Sequence, residues 1–243
     1  MSSMEWGRVA PTKRFIERVE SGDDVAGFAV HQMAKGSAGW HAGIVFRDES
    51  EGVGFRARAL HVIDIGGAAR AEERDPWEHG RAVRIDVDQR DRLFVNAAIS
   101  RGRRAAPRIE KRARFSHLYL GGVFDEDGEY HPGDEAEVGL DCVSFLLALF
   151  EGVGFPLVDR ATWPGFETPL DTERRQLVRD IADDEEKQGM REQAIWIQNQ
   201  RAPVIHPCEV AASALFALPS VPYDLAHAGA ARLSDHGEDP RAS

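Results

Sequence analysis

The sequence predicts an α+β fold with a mostly antiparallel sheet. Apolar and alternating runs typical of β-strands fill the first half of the chain. The segment Cys142–Glu151 is apolar nearly all round and predicts a short buried helix, and the chain from Asp171 onwards has helical patterns. This order, strands first and helices later, is typical of α+β architecture. The 243 residues are enough for one large domain with an ordinary hydrophobic core.

The predicted strands begin with Gly27–Gln32, and the apolar run Trp40–Phe46 follows. In Phe55–Ile63 alternate residues, among them His61, share one face, as in a half-exposed antiparallel strand. Turn-forming residues between the last two segments predict a β-hairpin. Arg81–Val87 is a further predicted strand.

Helical spacing begins after Asp88, which is the expected N-cap, and it brings Leu93 and Phe94 onto one face. Phe115–Phe124 is again strand-like. The turn chemistry of Asp125-Glu126-Asp127-Gly128 then leads into a further extended segment, and it predicts a tight turn and not a calcium loop. Gly152 is the residue expected just past the buried helix.

The composition excludes several classes of protein. The 41 acidic and 30 basic side chains give a net charge of −11, which argues against general coating of nucleic acid. No stretch reaches the ~18 apolar residues of a transmembrane helix, and the N-terminus lacks the apolar centre of a secretory signal. Two cysteines, Cys142 and Cys208, cannot form a disulfide framework. We therefore expect a cytoplasmic protein without a membrane span.

Cys142 has the surroundings that activate a thiol. It opens the predicted buried helix directly after Asp141, so its sulfur would face unpaired backbone N–H groups and the positive end of the helix dipole. The same N–H groups could hold the oxyanion of a tetrahedral intermediate. A nucleophilic role for Cys142 then needs an imidazole delivered from a strand beside the helix.

Two histidines fit that requirement. His41 opens one predicted strand and is followed by the small residues Ala42 and Gly43, while His61 lies on the next strand. If the two strands pair as a hairpin, the two histidines become neighbours. His41 would then act as the base, and His61 would orient its ring as the third member of a triad does.

Three segments, WHAGIVF, ALHVID and GLDCVSFLLALFEGVGF, resemble the circularly permuted branch of the NlpC/P60 papain-like superfamily, including its lecithin:retinol acyltransferase-like members. The resemblance covers roughly Gly27 to Asp159. It implies a permuted papain-like fold, in which Cys142 matches the nucleophile, His41 the base and His61 the third polar residue. Val143 follows the cysteine where many relatives have serine or glutamate, which leaves the subfamily and the substrate open.

The resemblance implies cysteine chemistry on a small amide, a peptide or an acyl substrate, with a thioester intermediate and no metal or organic cofactor. Trp40 would form part of the cleft wall, and Asp141 would contact substrate. Two other functions stay open. One is an acyltransferase or thioesterase acting on lipid acyl groups, and the other is a catalytically silent papain-like binding module.

Other candidate residues have simpler interpretations. Cys208 follows His206 and Pro207 at an expected helix start, where a structural cap explains the pattern. His117 is the alternative polar partner for Cys142. The basic segment Arg101–Arg114 could bind phosphate or an acidic substrate, but a solvated helix end that pairs with Asp180–Glu186 is the favoured interpretation. No cysteine and histidine spacing is that of a zinc site.

The predicted organisation has three parts. Residues 1–165 form the permuted NlpC/P60-like catalytic domain, residues 166–225 form a helical extension packed on it, and residues 226–243 form a mobile tail.

Overall fold

A computed structural model describes residues 9–33, 40–49, 54–65, 68–86, 88, 91–109, 121–132, 139–163, 205–216 and 219–235. In this part of the chain five helices surround one six-stranded antiparallel sheet and one small hairpin. The α+β class and the mostly antiparallel sheet predicted from the sequence are confirmed.

The main sheet has the strand order β1-β6-β2-β3-β4-β5, and all its neighbours are antiparallel. Its strands are β1 (Val9–Pro11), β2 (Ala26–Gln32), β3 (Trp40–Asp48), β4 (Arg56–Ile65), β5 (Ala68–Arg74) and β6 (Arg81–Arg84). The hairpin pairs β7 (Gly122–Phe124) with β8 (Tyr130–Pro132). Of the predicted strands, Arg81–Val87 ends early at Arg84, and most of Phe115–Phe124 lies outside the described residues.

The described helices are α1 (Thr12–Ser21), α2 (Asp91–Ile109), α3 (Cys142–Gly152), α4 (Pro207–Ser213) and α5 (Tyr223–Asp235), with a short 3-10 helix at Arg160–Thr162. None of them is long and apolar enough to cross a membrane. The helical patterns at residues 171–200 lie outside the described part of the chain.

The two faces of the sheet carry different cores. Successive residues of a strand point to opposite faces, so Ala42 and Ile44 of β3 belong to the large core under α2, α3 and α4. Val45 of β3 belongs instead to a smaller core with Phe15 and Val19 of α1. Helices α1 and α3 therefore cover opposite faces of the sheet.

This two-sided covering corrects the expectation that β4 is half exposed. Leu60 is buried against the large core, and Ala57 and Ala59 are buried in the core of α1. The alternation in β4 was recognised from the sequence. What local sequence could not show is that α1, which lies far earlier in the chain, packs on the second face.

Helix α2 starts at Asp91, and the carboxylate of Asp88 accepts the Asp91 N–H at 2.9 Å, as expected for an N-cap. Its buried stripe is Val95, Ala98, Ile99 and Gly102. Leu93, which the sequence placed on the apolar face, is 69% exposed. The stripe follows the i, i+3, i+4 and i+7 spacing from Val95, so Leu93 falls outside it.

Residues 226–235, the first part of the predicted mobile tail, lie in helix α5. Ala226, Ala230 and Leu233 of α5 are buried, and the helix packs against α4. These side chains follow helical spacing, which the sequence interpretation did not use. The strands β1 and β5 and helix α1 were not predicted.

Candidate active site

His41 and His61 lie on the adjacent strands β3 and β4. The register pairs Ile44 with Leu60, which brings the start of β3 beside the later part of β4. Nε2 of His41 lies 2.7 Å from Nδ1 of His61, and the two rings meet edge to face with centroids 4.9 Å apart. The neighbourhood expected from the hairpin is therefore present, while the catalytic roles of the two residues stay predictions.

Trp77 covers this pair of imidazoles. Its ring centroid lies 5.5 Å from that of His41 and 5.4 Å from that of His61. Gly43 makes room for it, because a Cβ at that position would lie 2.7 Å from Cη2 of Trp77 and 3.1 Å from Cβ of His61. A glycine two residues after His41 is thus needed for the indole to approach.

His31 and His79 extend the cluster, although the sequence interpretation found no pattern in them. His31 is the register partner of His41 across β2 and β3, and the two ring centroids lie 5.4 Å apart. Nε2 of His79 lies 3.1 Å from Nδ1 of His31. The sequence offered a signal for His31, because it lies on the predicted strand before that of His41 and antiparallel pairing of the two strands can bring both histidines together. No local pattern pointed to His79 or Trp77, which lie between β5 and β6.

Both central histidines are buried, and burial favours their neutral forms. It lowers the pKa of His41 to about 3, with His61 adding to the effect and the carboxylate of Asp141 opposing it. Burial likewise lowers the pKa of His61 to about 4, with Arg74 adding to the effect. Both imidazoles are therefore neutral near neutral pH, and a pKa this low also makes each of them a weaker base than an exposed histidine.

Cys142 is the first residue of α3, as predicted, and Asp141 is the N-cap. The Asp141 carboxylate accepts the Ser144 N–H at 2.7 Å, and the Ser144 hydroxyl accepts the Asp141 N–H at 2.6 Å. This reciprocal capping box fixes the start of the helix, with serine in the place where glutamate is usual. Cys142 is 7% exposed and lies at the positive end of the helix dipole.

The structure brings His41 and His61 together but places Cys142 on a different face of the sheet. Cys142 belongs to the large core with Ala42 and Leu60, whereas His41 and His61 point with Trp77 towards the opposite face. The hydrogen bond and ring contacts of His41 are to other members of the histidine cluster and to Trp77. Its link to the N-terminus of α3 is electrostatic and runs through Asp141.

Trp40 and Asp141, the predicted substrate contacts, have structural roles. Trp40 is half-buried against the large core, with its ring centroid 6.0 Å from that of His206. By strand alternation it points away from the face of His41. Asp141 is 4% exposed and is engaged in the cap. A role in binding substrate stays a prediction for both.

The rival cysteine, Cys208, lies in a capped helix start. Nδ1 of His206 accepts the Cys208 N–H at 3.1 Å, and the Glu209 carboxylate accepts the His206 N–H at 2.7 Å. Nδ1 of His227 lies 3.0 Å from the other Glu209 oxygen. Cys208 is 1% exposed. These contacts confirm the interpretation of this segment as a structural cap.

Three of the described arginines of the basic segment, Arg101, Arg103 and Arg104, have partners within the fold. Arg103 forms an ion pair with Glu73 at 2.8 Å and a longer one with Asp48 at 3.3 Å. Arg101 donates to the carbonyl oxygen of Phe124. The predicted partner Asp180–Glu186 and the basic residues beyond Ile109 lie outside the described residues, as does His117.

The turn at Asp125 is local, as predicted, because its carboxylate accepts the backbone N–H groups of Asp127 and Glu129 at 3.0 and 2.8 Å. Among the described residues, no group of three or more His, Cys, Asp or Glu side chains could hold a metal ion.

Comparisons with protein-family models, with curated proteins and with solved structures found no match to the chain. The resemblance to the permuted NlpC/P60 branch therefore rests on the residues of this sequence alone.

Proposed function

We propose that the protein is a cysteine-dependent hydrolase of amide bonds, with Cys142 as the nucleophile, His41 as the base and His61 as the residue that orients His41. One observation carries the proposal. The 2.7 Å contact between His41 and His61 uses only Nε2 of His41. Among the described residues no hydrogen bond reaches Nδ1 of His41, so this nitrogen is open to accept a proton.

The surroundings of Cys142 support the nucleophilic role. Cys142 is the first residue after the N-cap of α3, and the positive end of a helix dipole stabilises a thiolate at such a position. Backbone N–H groups at a helix start can stabilise the negative oxygen of a tetrahedral intermediate. The carboxylate of Asp141 raises the pKa of His41, although burial and His61 outweigh it, and this electrostatic effect links the start of α3 to His41.

The proposed reaction begins when Nδ1 of His41 takes the proton from Cys142 as the sulfur attacks the substrate carbonyl. Since His41 is neutral near neutral pH, it acts as a general base during attack, and no ion pair has to exist beforehand. His41 then gives the proton to the leaving amine, and a thioester remains on Cys142. Water, deprotonated by His41, attacks the thioester, the C–S bond breaks to release the acid, and the Cys142 thiolate takes the proton back from His41. In the structure Cys142 and His41 lie on opposite faces of the sheet, so the mechanism requires a rearrangement that brings Cys142 Sγ within hydrogen-bond range of His41 Nδ1.

Acylation by p-nitrophenyl acetate tests the proposal without knowledge of the natural substrate. We expect an acetyl group on Cys142, mapped by mass spectrometry, and acetylation slowed by about 10²–10⁴-fold in His41→Ala. His131→Ala is the matched control, because His131 is exposed and contacts Asp125 in the β7–β8 hairpin. Acetylation at Cys208 alone, or an equal rate in a folded His41→Ala protein, contradicts the proposal.

A catalytically silent binding module is the second candidate, and the placement of Cys142 favours it. The thiol lies in the large core, whereas the histidine pair faces the other side of the sheet. In that case the histidines support the packing of Trp77 and Cys142 fills the core as a small hydrophobic residue. The acylation experiment separates the two candidates, since the silent module leaves Cys142 unmodified.

A further inference from the structure

Nε2 of His61 is a buried polar atom without a hydrogen-bond partner among the described residues. His61 is the register partner of Glu72 across β4 and β5, so both side chains lie on the same face of the sheet. The nearest oxygen, Oε2 of Glu72, lies 3.9 Å from Nε2. This separation is too long for a hydrogen bond, so Glu72 acts on Nε2 only through its charge.

The hydrogen bond between the two histidines allows two arrangements of protons. In the first, His41 donates from Nε2 and His61 accepts at Nδ1, so the proton of neutral His61 lies on Nε2. In the second, His61 donates from Nδ1, so His61 Nε2 is a bare lone pair and the proton of His41 lies on Nδ1. Only the first leaves Nδ1 of His41 able to accept a proton.

The position of Glu72 distinguishes these arrangements. In the first, the His61 N–H points its positive end towards the Glu72 carboxylate, whereas in the second a nitrogen lone pair faces the negative oxygen. Glu72 is 22% exposed at its side chain, so water screens the interaction only in part. Arg70 contacts the other carboxylate oxygen through Nε at 3.4 Å, and its positive charge offsets part of the negative charge of Glu72.

We propose that Glu72 is a positioning residue that keeps both His61 and His41 protonated on Nε2 and thereby leaves Nδ1 of His41 without a proton. The effect passes from Glu72 to His61 by charge and dipole, and from His61 to His41 by their shared hydrogen bond. The assignment of protons rests on these contacts. Its meaning for catalysis rests on the proposed function.

Nitrogen-15 NMR of the histidine side chains tests the assignment, because two-bond correlations distinguish a protonated ring nitrogen from a bare one. At neutral pH we expect Nε2–H forms for both His41 and His61 in the unmodified protein. In Glu72→Ala we expect a rise in the Nδ1–H form of both residues together, since one hydrogen bond couples them. Glu72→Asp keeps the charge and should stay closer to the unmodified protein than Glu72→Ala.

Glu73→Ala is the matched control. Glu73 is the next residue on β5, points to the opposite face and pairs with Arg58 and Arg103. This variant tests whether damage to β5 alone changes the imidazoles, and we expect Nε2–H forms in it. An Nδ1–H form of His61 in the unmodified protein overturns the proposal, and so does an unchanged proton distribution in Glu72→Ala. If Glu72→Ala does not fold, the spectrum of the unmodified protein still decides the assignment.

The two proposals fail in different experiments. If Cys142 is not acylated but the imidazoles respond to Glu72 as expected, the proposed hydrolase is wrong and the positioning role of Glu72 stands. If Cys142 is acylated through His41 but Glu72→Ala changes neither the imidazoles nor the acylation rate, the positioning role is wrong and the hydrolase stands.

Discussion

Trp77 lies over Gly43, and the contact is so close that a Cβ on Gly43 would stand 2.7 Å from the indole. The glycine lies between His41 and Val45 on the same face of β3, and the indole covers the ring of His41 and the ring of His61. The tight approach of a tryptophan to a glycine therefore encloses the histidine pair and contributes to the burial that keeps both imidazoles neutral.

Gly43→Ala should destabilise the fold by about 1–3 kcal/mol, the usual cost of forcing an extra methyl group into a packed site. Urea unfolding measures the loss. In a Trp77→Ala background, Gly43→Ala should lower the free energy of unfolding by less, because the indole that the new methyl group would meet is absent. Equal costs in the two backgrounds would show that Trp77 does not limit the space above Gly43.

The same enclosure predicts that stability falls with acid. The pKa of His41 is lowered from 6.5 to about 3 in the folded protein, so the unfolded chain binds a proton that the folded protein does not between these values. The contribution of His41 to the free energy of unfolding is fully present above the pKa of the unfolded chain. It is lost as the pH falls from about 6.5 towards about 3. His61, with a pKa lowered to about 4, adds a loss of the same sign.

Urea unfolding between pH 8 and pH 5 measures this effect, which is at most about 1.4 kcal/mol per pH unit for each proton. His61→Asn should flatten the decrease. His131→Asn, at an exposed position, should leave the slope unchanged. If the free energy of unfolding falls with the same slope in the unmodified protein, in His61→Asn and in His131→Asn, groups other than His61 cause the acid sensitivity.

Asp141→Ala should lower the free energy of unfolding by about 0.5–2 kcal/mol, because it removes the cap of α3. Its carboxylate accepts the Ser144 N–H at 2.7 Å in a buried position, so a loss near the upper end is expected. Asp159→Ala, which removes a cap at 3.2 Å from the short exposed 3-10 helix, should cost less. Equal losses of stability in the two variants would show that the buried cap of α3 contributes no more than the exposed cap of the 3-10 helix.

His206→Ala should lower stability by about 0.5–2 kcal/mol through loss of the α4 cap, and it should leave the reactivity of Cys142 unchanged. The reason is that His206 accepts the Cys208 N–H and serves the helix start. Urea unfolding and thiol alkylation of the same protein check both halves. Slower alkylation of Cys142 in His206→Ala would show that His206 affects the candidate site.

Much of the site was predictable because it depends on local patterns. The hairpin of β3 and β4 follows from alternation and turn residues, and it was enough to bring His41 beside His61. The start of α3 at Cys142 follows from an apolar helix directly after an aspartate. These features depend on residues that are close in sequence, where periodicity and capping preferences are strong.

The rest depends on long-range packing. Alternation places His41 and Ala42 on opposite faces, but only the tertiary structure shows that α3 covers the face of Ala42 and α1 the other. Trp77 reaches the histidines from the connection between β5 and β6, and Glu72 reaches His61 through the register of β4 with β5. Neither contact has a signature in the local sequence.

The reaction of Cys142 with iodoacetamide near neutral pH, followed in a Cys208→Ala background, tests the central claim most directly. If Nδ1 of His41 takes the proton of the Cys142 thiol, His41→Ala should slow the alkylation of Cys142 at least about tenfold, while His131→Ala should leave the rate unchanged. Equal rates in the folded His41→Ala protein and its parent would contradict the claim that His41 and Cys142 act together.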